Sequence, residues 1–336
     1  MNRGPAYVAR RLGWAAVVVI GVSTIAFVIS HLLPGDPARM LVGPQASAKD
    51  VEHARALHGL DQPLRVQYFR YWRRLVHLGP PAAPPDPDHK SCARVLPRVH
   101  LDLGHSFHWR KPVVDLLADK IPRSLELALA ALAFQALLGV ALGTLAAAKR
   151  GSRIDEATIG ATLVGVSAPT FLLGVLLQYL FAYKLKLLPY DGYGTTAGEQ
   201  LRSLVLPALT LGIFGTALYA RLVRDELTTV LAQDHVRTAR AKGASRLGTL
   251  MRHGLYNALI PIATLVALDL GTMVGGAIVT EKLFRWPGVG MLAVDALLNR
   301  DGPVILGTVL FSSMAVVLST LLLDVLYVVL DPRLRR

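Results

Sequence analysis

Six long apolar stretches constrain the fold of this chain more than any other feature. They lie at residues 12–33, 127–148, 157–183, 203–220, 255–280 and 304–323. Asp269 is the only Asp, Glu, Lys or Arg within them. About 20 apolar helical residues cross the roughly 30 Å core of a bilayer, and a helix satisfies its own backbone hydrogen bonds there. The sequence therefore predicts an all-α integral membrane protein with six transmembrane helices.

The composition excludes several other classes of protein. Hydrophobic residues make up 53% of the 336 residues and charged residues only 18%, which is too apolar for a disordered chain. A single cysteine, Cys92, excludes a disulfide framework. The sequence PGDP at 34–37 follows the first stretch in place of a small-residue cleavage site. We therefore expect the first helix to be retained rather than removed as a signal peptide.

Lysine and arginine predict the orientation of the spans. With the N-terminus inside, the inner segments carry 16 of these residues and the two short outer loops carry six. Short cytoplasmic loops are the more basic ones in membrane proteins, so both termini are predicted to be cytoplasmic in a multi-pass protein of the cell membrane. The net charge of +13 follows from this placement, and no nucleic-acid partner is expected.

The predicted spans divide the chain into three parts. They are residues 1–33, with the cytoplasmic N-terminus and the first helix; 34–122, an extracytoplasmic segment; and 123–336, a core of five further helices. In the outer segment (34–122), Ser47 and Asp50 predict a capping box ahead of an amphipathic helix. A proline-rich insertion occupies 79–101, and its first part, 79–88, is predicted to be extended.

The inner segment 221–254 carries two apolar repeats at helical spacing. They comprise Val223, Leu227, Val230 and Leu231, and then Leu247, Leu250, Met251 and Leu255. Gly243 lies between them and predicts a turn, because glycine adopts a positive φ at little cost. The pattern allows two interpretations: two amphipathic helices on the membrane surface, or helices that fit a groove on a partner subunit.

A series of short motifs runs along nearly the whole chain. They are LPGDPA at 33–38, GLDQP at 59–63, LGHSF at 103–107, LPALT at 206–210, HVRTARAKGA at 235–244, YNALIP at 256–261, GGAIVTE at 275–281, FRWPGVG at 284–290 and LDPR at 330–333. Any one of them is a weak signal. In this order they resemble the permease subunits of bacterial ABC importers, in the dipeptide and oligopeptide branch.

The resemblance implies an ABC importer permease fold. Within residues 221–254, called the coupling loop below, it implies a cytoplasmic coupling helix. The implied partners are a second homologous permease subunit, two cytoplasmic ATPase domains that bind ATP and Mg, and an extracytoplasmic substrate-binding protein. The residues implied to contact the ATPase are Arg237, Thr238, Ala239, Arg240, Ala241, Lys242, Gly243 and Ala244. Because Arg237 replaces the family's glutamate, no ion pair by that glutamate is expected.

Four polar residues in the spans are candidates for a substrate path. They are Asp269, Thr272, Gln135 and Gln178. A charge deep in the bilayer costs about 2.5–3.5 kcal/mol on insertion scales, so Asp269 is expected to face a cavity or a partner. It either lines the path and meets a peptide ammonium, or it hydrogen bonds to a neighbouring helix. For the two glutamines, hydrogen bonds between helices are the alternative role.

Small residues and a proline predict local features of the spans. Gly139 with Gly143, and Gly271 with Gly275, have the spacing that allows two helices to approach closely. Pro169, in the middle of the third stretch, is a candidate for a bend because proline cannot donate a helical hydrogen bond.

The expected function is that of a permease subunit of an ATP-driven ABC importer that translocates di- or oligopeptides across the cytoplasmic membrane. Subunits of nickel-chelate or glutathione importers are alternatives within the same branch. An intramembrane enzyme and a passive channel are alternatives of another class. The chain has no GxxxxGK[ST] phosphate loop, no HExxH zinc motif and no GxSxG nucleophile turn. No catalytic residue, metal site or cofactor is therefore expected in this chain, and ATP hydrolysis is expected in partner subunits.

Overall fold

A computed structural model gives the fold of the chain. It describes residues 4–32, 37–43, 45–57, 59–78, 92–96 and 99–330. The chain is mostly helical over these residues, as the apolar stretches predict. The stretch 79–88, predicted to be extended, lies outside them.

Four helices and a small sheet form the first part of the chain. The helices are α1 (Gly4–Leu32), α2 (Pro37–Val42), α3 (Ala48–Leu57) and α4 (Leu64–Leu75). The predicted capping box is confirmed, since the Ser47 hydroxyl lies 3.3 Å from the Asp50 N–H and the Asp50 carboxylate accepts from the Ser47 N–H at 3.1 Å. Hydrogen bonds from Ser47, chiefly from its hydroxyl, lower the pKa of Asp50 below its ordinary value.

A three-stranded antiparallel sheet is the feature of the outer segment that the sequence did not predict. Its strands are β1 (Val76–Leu78), β2 (Cys92–Leu96) and β3 (Val99–Asp102), in the order β1-β3-β2. The strands are too short to give a sustained alternation of apolar and polar residues. Arg74 at the end of α4 donates to Asp102 at 2.9 Å and so joins the helix to the sheet. The outer segment is therefore not purely helical.

Three helices among the described residues are long and apolar enough to cross a membrane. They are α5 (Val113–Ala148), α8 (Ala197–Leu231) and the Gly302–Val325 part of α14 (Gly302–Leu330). Shorter apolar helical stretches are Gly13–Ile29, Ala258–Val274 and Val289–Leu298. The predicted count of six spans and the cytoplasmic placement of both termini stay predictions.

The third predicted stretch is broken at Pro169, which confirms the bend predicted there. Helix α6 (Arg153–Ser167) ends before Pro169, and α7 (Thr170–Leu177) continues into a π-helical turn at Gln178–Lys184. The two halves are bent by 101° and together could make a fourth span. The break lies at Pro169, because proline has no N–H for the helix and disfavours helical geometry in the residue before it.

The remaining helices follow α8 and include two more departures from the predicted stretches. They are α9 (Asp234–Ala241), α10 (Arg246–Gly248) with a π-helical turn at Thr249–Leu255, α11 (Tyr256–Val274), α12 (Ile278–Leu283) and α13 (Val289–Leu298). The fifth stretch was expected to reach residue 280, but α11 ends at Val274. Gly275 and Gly276 follow, and Gly276 has a φ of +123° that ends helical geometry.

The chain forms two compact units, each with its own core. The first comprises Met1–Arg123 and Gly288–Met314, and the second comprises Ser124–Pro287 and Ala315–Arg336. In the first unit the core contains Val113, Leu117, Val289, Leu292 and Val304. In the second unit one cluster contains Tyr219, Val223, Leu227, Ala258 and Ile262, and another contains Leu127, Ala208 and Trp286.

Candidate coupling and transport sites

Helix α8 extends well into the coupling loop. The first apolar repeat was expected to form a separate cytoplasmic helix, and this expectation is wrong, because α8 continues without a break to Leu231. Val223 and Leu227 are fully buried and pack with Ala258 and Ile262 of α11. The apolar face of this segment is therefore used for packing between α8 and α11 and is closed to a partner.

Helix α9 is a separate and mostly exposed helix within the coupling loop. Only Ala232 and Gln233 separate it from α8, and a two-residue link leaves little freedom of orientation. Val236 is fully buried, while Arg237, Thr238 and Arg240 are exposed. One buried anchor and an otherwise exposed surface are what a short helix needs if it is to be held by its own chain and contact another protein.

Gly243 closes α9 in the way the sequence predicts. Its φ is +89°, a conformation that costs an L-residue with a Cβ roughly 1–2 kcal/mol. The Gly243 N–H bonds to the Arg240 carbonyl at 3.0 Å, and the Ala244 N–H bonds to the Ala239 carbonyl at 3.1 Å. This pair of bonds is a Schellman motif. No atom lies within 4 Å of the position a Cβ would take, so the glycine is needed for backbone conformation and not for space.

The chain returns from α9 against α8. The Ser245 hydroxyl accepts from the Gly248 N–H at 3.0 Å and caps the start of α10. Farther along, Gly254 lies in the π-helical turn, and a Cβ there would meet a Leu227 methyl at 2.9 Å. The missing side chain lets the π-helical turn approach α8 closely. Helix α9 is thus held between two packed arms, one from α8 and one leading into α11.

The predicted ATPase-contacting residues lie together on this tip. Arg237, Thr238, Ala239, Arg240 and Ala241 are in α9, and Lys242, Gly243 and Ala244 form the turn after it. All are exposed except Ala239, which is half-buried. Arg237 makes only a loose contact with Asp234 at 3.7 Å. Nothing in the structure tests their contact with an ATPase, and that role stays a prediction.

An ion pair that the sequence did not single out joins α6 to α8. Arg224 donates to both carboxylate oxygens of Asp155, at 2.6 and 3.0 Å. The same carboxylate accepts from the Gly151 N–H at 2.9 Å. Asp155 has a side-chain exposure of 5% and Arg224 of 21%. Arg224 was counted only as a basic residue of the coupling loop, and the pairing needed the tertiary structure, because 69 residues separate the two side chains.

Two of the four path candidates meet inside the second unit. Gln135 of α5 donates from Nε2 to a carboxylate oxygen of Asp269 in α11 at 2.7 Å. Gln135 is fully buried, and a Cβ on Gly215 of α8 would overlap its amide group. The structure therefore shows the hydrogen bond to a neighbouring helix that was one of the two roles considered for Asp269. A place on the path stays a prediction for both residues.

The other two candidates take no part in this hydrogen bond between Gln135 and Asp269. The Thr272 hydroxyl donates to backbone carbonyls of its own helix, to Asp269 at 3.0 Å and to Leu268 at 3.3 Å. Gln178 is buried in the π-helical turn after α7 and donates to the Tyr190 carbonyl at 3.0 Å. The same amide donates to the Leu283 carbonyl at the end of α12 at 3.5 Å, so the expected hydrogen bond to another helix is present beside the bond to the loop.

The motif at 284–290 has a packing role that its sequence alone did not reveal. Trp286 and Phe284 are almost completely buried, and the Trp286 ring packs edge-to-face on Tyr193 at 5.0 Å between centroids. Glu281, three residues before Phe284, is also fully buried, and its carboxylate accepts from the Ser124 hydroxyl at 2.9 Å. These contacts account for the first part of the motif, 284–287, as part of the folded core of the second unit.

The predicted glycine pairs act in close helix packing where the structure describes them. A Cβ on Gly143 of α5 would lie 2.5 Å from the Ala220 carbonyl oxygen and 2.8 Å from the Val223 Cβ of α8. A Cβ on Gly271 of α11 would lie 3.0 Å from the Val316 Cα of α14. Both distances are too short for a side chain, so the packing prediction is confirmed at these positions.

The described part of the chain thus combines long apolar helices with a short helix, α9, that is held between α8 and α11. This fold occurs in an ABC transporter. A solved inward-facing structure of the MetNI methionine ABC transporter aligns with a TM-score of 0.54 at 18% identity, over 66% of this chain and 98% of that chain.

The chain belongs to the family described as the binding-protein-dependent transport system inner membrane component, which matches residues 139–336. The N-terminal region described for the same membrane components matches residues 5–128. The chain is therefore a multi-pass permease subunit of an ABC importer in the inner membrane, as the ordered motifs predicted.

Several similar proteins carry one name. The glutathione transport system permease protein GsiC of Salmonella paratyphi A is 37% identical over 329 residues, which is 98% of both chains. The protein of the same name in Escherichia coli K12 is 36% identical over the same share. These matches belong to the branch that the sequence motifs indicate.

Proposed function

We propose that this permease subunit serves a glutathione importer or an importer of closely related short peptides. The observation that carries the proposal is the 37% identity to GsiC over 98% of both chains. This identity favours the glutathione alternative over the general di- and oligopeptide function. Glutathione is itself a tripeptide, so the two alternatives differ in peptide identity and not in chemical class.

The proposed assembly supplies what this chain lacks. A binding protein delivers the substrate from outside, a second homologous permease completes the path, and two ATPase domains bind ATP and Mg on the inside. We propose that α9 fits a cleft on one ATPase domain. Its two-residue link to α8 and the packed return through the π-helical turn support this role, because movement of α9 would be passed to helices on both sides.

The path itself is proposed to pass Asp269 and Gln135. Asp269 is half-buried, with a carboxylate oxygen held by the Gln135 amide. A carboxylate fixed in this way can accept a hydrogen bond from a substrate ammonium without first being reoriented.

Uptake by the complete transporter tests the proposed function. The transporter is reconstituted in vesicles with its binding protein, and uptake of labelled glutathione is compared with that of a dipeptide, a pentapeptide and a nickel chelate. We expect ATP-dependent uptake of glutathione, with the nickel chelate excluded. Equal uptake with and without ATP would indicate a channel, and preferred uptake of the nickel chelate would contradict the peptide assignment.

A further inference from the structure

A cavity of about 340 Å³ lies within the first unit, and its lining includes no residue of the coupling loop and none of the path candidates. It is bounded by α1, the turn between α3 and α4, α4 itself, the end of β3 and the start of α14. Its size is in the range of pockets that hold small organic ligands. In the predicted orientation these elements face the extracytoplasmic side. The motifs at 59–63 and 103–107 contribute to its wall, and the proposed path does not include it.

The lining of the cavity carries an excess of positive charge. Arg70, Arg74 and Arg300 line it, and Asp102 is the only acidic residue among the lining residues. Asp102 is already committed, because it accepts from Arg74 at 2.9 Å and from the Gly104 N–H at 2.7 Å. Within the described part of the chain, Arg70 and Arg300 have no carboxylate partner. Two guanidinium groups therefore remain available to an anion.

The Arg70 side chain rests against a glycine turn of the backbone. The Arg70 guanidinium lies directly over Gly59, which has a φ of +64° and has no room for a Cβ. The turn beneath it is fixed by Gln67, whose amide donates to the Gln62 carbonyl at 2.8 Å. Arg70 is thus seated on a glycine turn that a side chain would block.

Arg300 follows α13 in a conformation that favours glycine. Its φ is +54°, and its neighbour Asp301 is fully buried. Asp301 accepts from the Ser106 hydroxyl at 2.5 Å and from the His108 N–H at 2.9 Å. These bonds tie the turn to the segment after β3 and fix the direction in which Arg300 leaves it.

Apolar and aromatic side chains form the rest of the wall. Phe27, Tyr71 and Phe107 line the cavity, and the Phe27 and Tyr71 rings lie 6.1 Å apart between centroids. Burial raises the pKa of Tyr71 to about 12, so its phenol is neutral at physiological pH and does not repel an anion. The cavity therefore offers two cationic groups beside a wall that includes three aromatic rings and several aliphatic side chains.

We propose that this cavity binds the carboxylate of a short peptide of about tripeptide size on the extracytoplasmic side of the permease. Guanidinium groups pair with carboxylates through two parallel hydrogen bonds, and the aromatic wall contacts the peptide body. The proposal rests on the proposed function for its ligand, glutathione, which carries two carboxylates. Its role is to hold the substrate anion near the outer face before the substrate enters the path.

Direct binding tests the proposal without relying on transport. The permease complex, without its binding protein, is placed in nanodiscs of zwitterionic lipid, and glutathione is titrated by calorimetry. The probe is then changed to the diethyl ester, in which both carboxylates are blocked. We expect the ester to bind at least tenfold more weakly, because its carbonyl oxygens lack the charge that pairs with arginine.

Variants locate the site. Arg70→Gln and Arg300→Gln are each expected to weaken glutathione binding about tenfold. Arg73→Gln is the matched control, since Arg73 is exposed on the same helix and does not line the cavity. Equal binding by wild type and both cavity variants would overturn the proposal, and so would equal affinity for glutathione and its ester.

Two further outcomes separate this proposal from its alternatives. If nanodiscs containing phosphatidylglycerol abolish glutathione binding, a lipid phosphate occupies the cavity and the peptide proposal is wrong. If the complete transporter takes up glutathione while the permease shows no arginine-dependent binding, the cavity proposal fails and the proposed function stands. Arginine-dependent binding without uptake would support the cavity and contradict the function.

Discussion

At the scale of single residues, Gly243 is the position where sequence and structure agree most closely. The sequence predicted a turn because glycine tolerates positive φ. The structure shows a φ of +89° and the two hydrogen bonds that end α9. Because no atom lies within 4 Å of its Cβ position, a residue that adopts this conformation should meet no steric barrier at its Cβ.

Gly243→Pro is expected to abolish ATP-driven uptake while the protein still reaches the membrane. Proline fixes φ near −65° and removes the N–H that bonds to Arg240, so α9 loses its end. Gly243→Asn is the control, because asparagine adopts positive φ more readily than other residues with a side chain. Uptake and ATPase stimulation in vesicles provide the measurement. Normal uptake by the proline variant would contradict the coupling role of α9.

Asp269→Asn tests whether the half-buried carboxylate has a role beyond packing. The asparagine carbonyl can still accept from Gln135, so folding should be retained. Loss of the negative charge is expected to reduce glutathione uptake about tenfold or more, because a charge-assisted hydrogen bond to the substrate ammonium is lost. Thr272→Val serves as the comparison, since its hydroxyl bonds only to its own helix. Unchanged uptake by the asparagine variant would leave packing as the role of Asp269.

At the scale of elements, α8 organises the second unit. It packs against α5 through glycine, against α6 through the Asp155–Arg224 ion pair and against α11 through Val223 and Leu227. The three contacts use close backbone approach, an ion pair and apolar packing, so each is disturbed by a different kind of substitution.

Gly143→Ala is expected to destabilise the contact between α5 and α8. A Cβ at this position would overlap the Ala220 carbonyl oxygen at 2.5 Å, and the backbone cannot yield without moving a helix. Gly160→Ala is the matched control, because Gly160 is also in a helix and has no atom within 4 Å of its Cβ position. The control should gain up to about 1 kcal/mol from helix propensity. In thermal unfolding in detergent, the unfolding temperature should fall for Gly143→Ala and stay the same or rise for Gly160→Ala. Equal unfolding temperatures for the two variants would contradict the close packing of α5 on α8.

Arg224→Gln is expected to cost about 3 kcal/mol of unfolding free energy, because it leaves Asp155 buried without its cation. This is the low end of the usual range, since Arg224 keeps 21% of its side chain exposed. The double variant Asp155→Asn with Arg224→Gln should recover part of the loss. Denaturation of the wild type, the two single variants and the double variant forms a double-mutant cycle. If the losses of unfolding free energy of the two single variants simply add up to that of the double variant, the ion pair contributes nothing to stability.

At the scale of the whole molecule, the chain is a permease that depends on other subunits for energy. The purified subunit alone is expected to hydrolyse no ATP and to accumulate no glutathione in vesicles, since it has no phosphate-binding loop. The complete transporter should do both. Nucleotide cleavage or uphill uptake by the isolated chain would contradict the family assignment and the proposed mechanism together.

The apolar stretches by themselves determined the helical membrane fold, because about 20 apolar residues in lipid can only form a helix or a closed barrel. The Gly243 turn and the Ser47 cap were equally local and followed from backbone chemistry. Only the tertiary structure decided that α8 continues into the coupling loop, because a buried apolar face and a free one have the same periodicity. It alone brought together Gln135 with Asp269, Asp155 with Arg224, and the arginines of the cavity in the first unit, since such pairings depend on how distant segments pack.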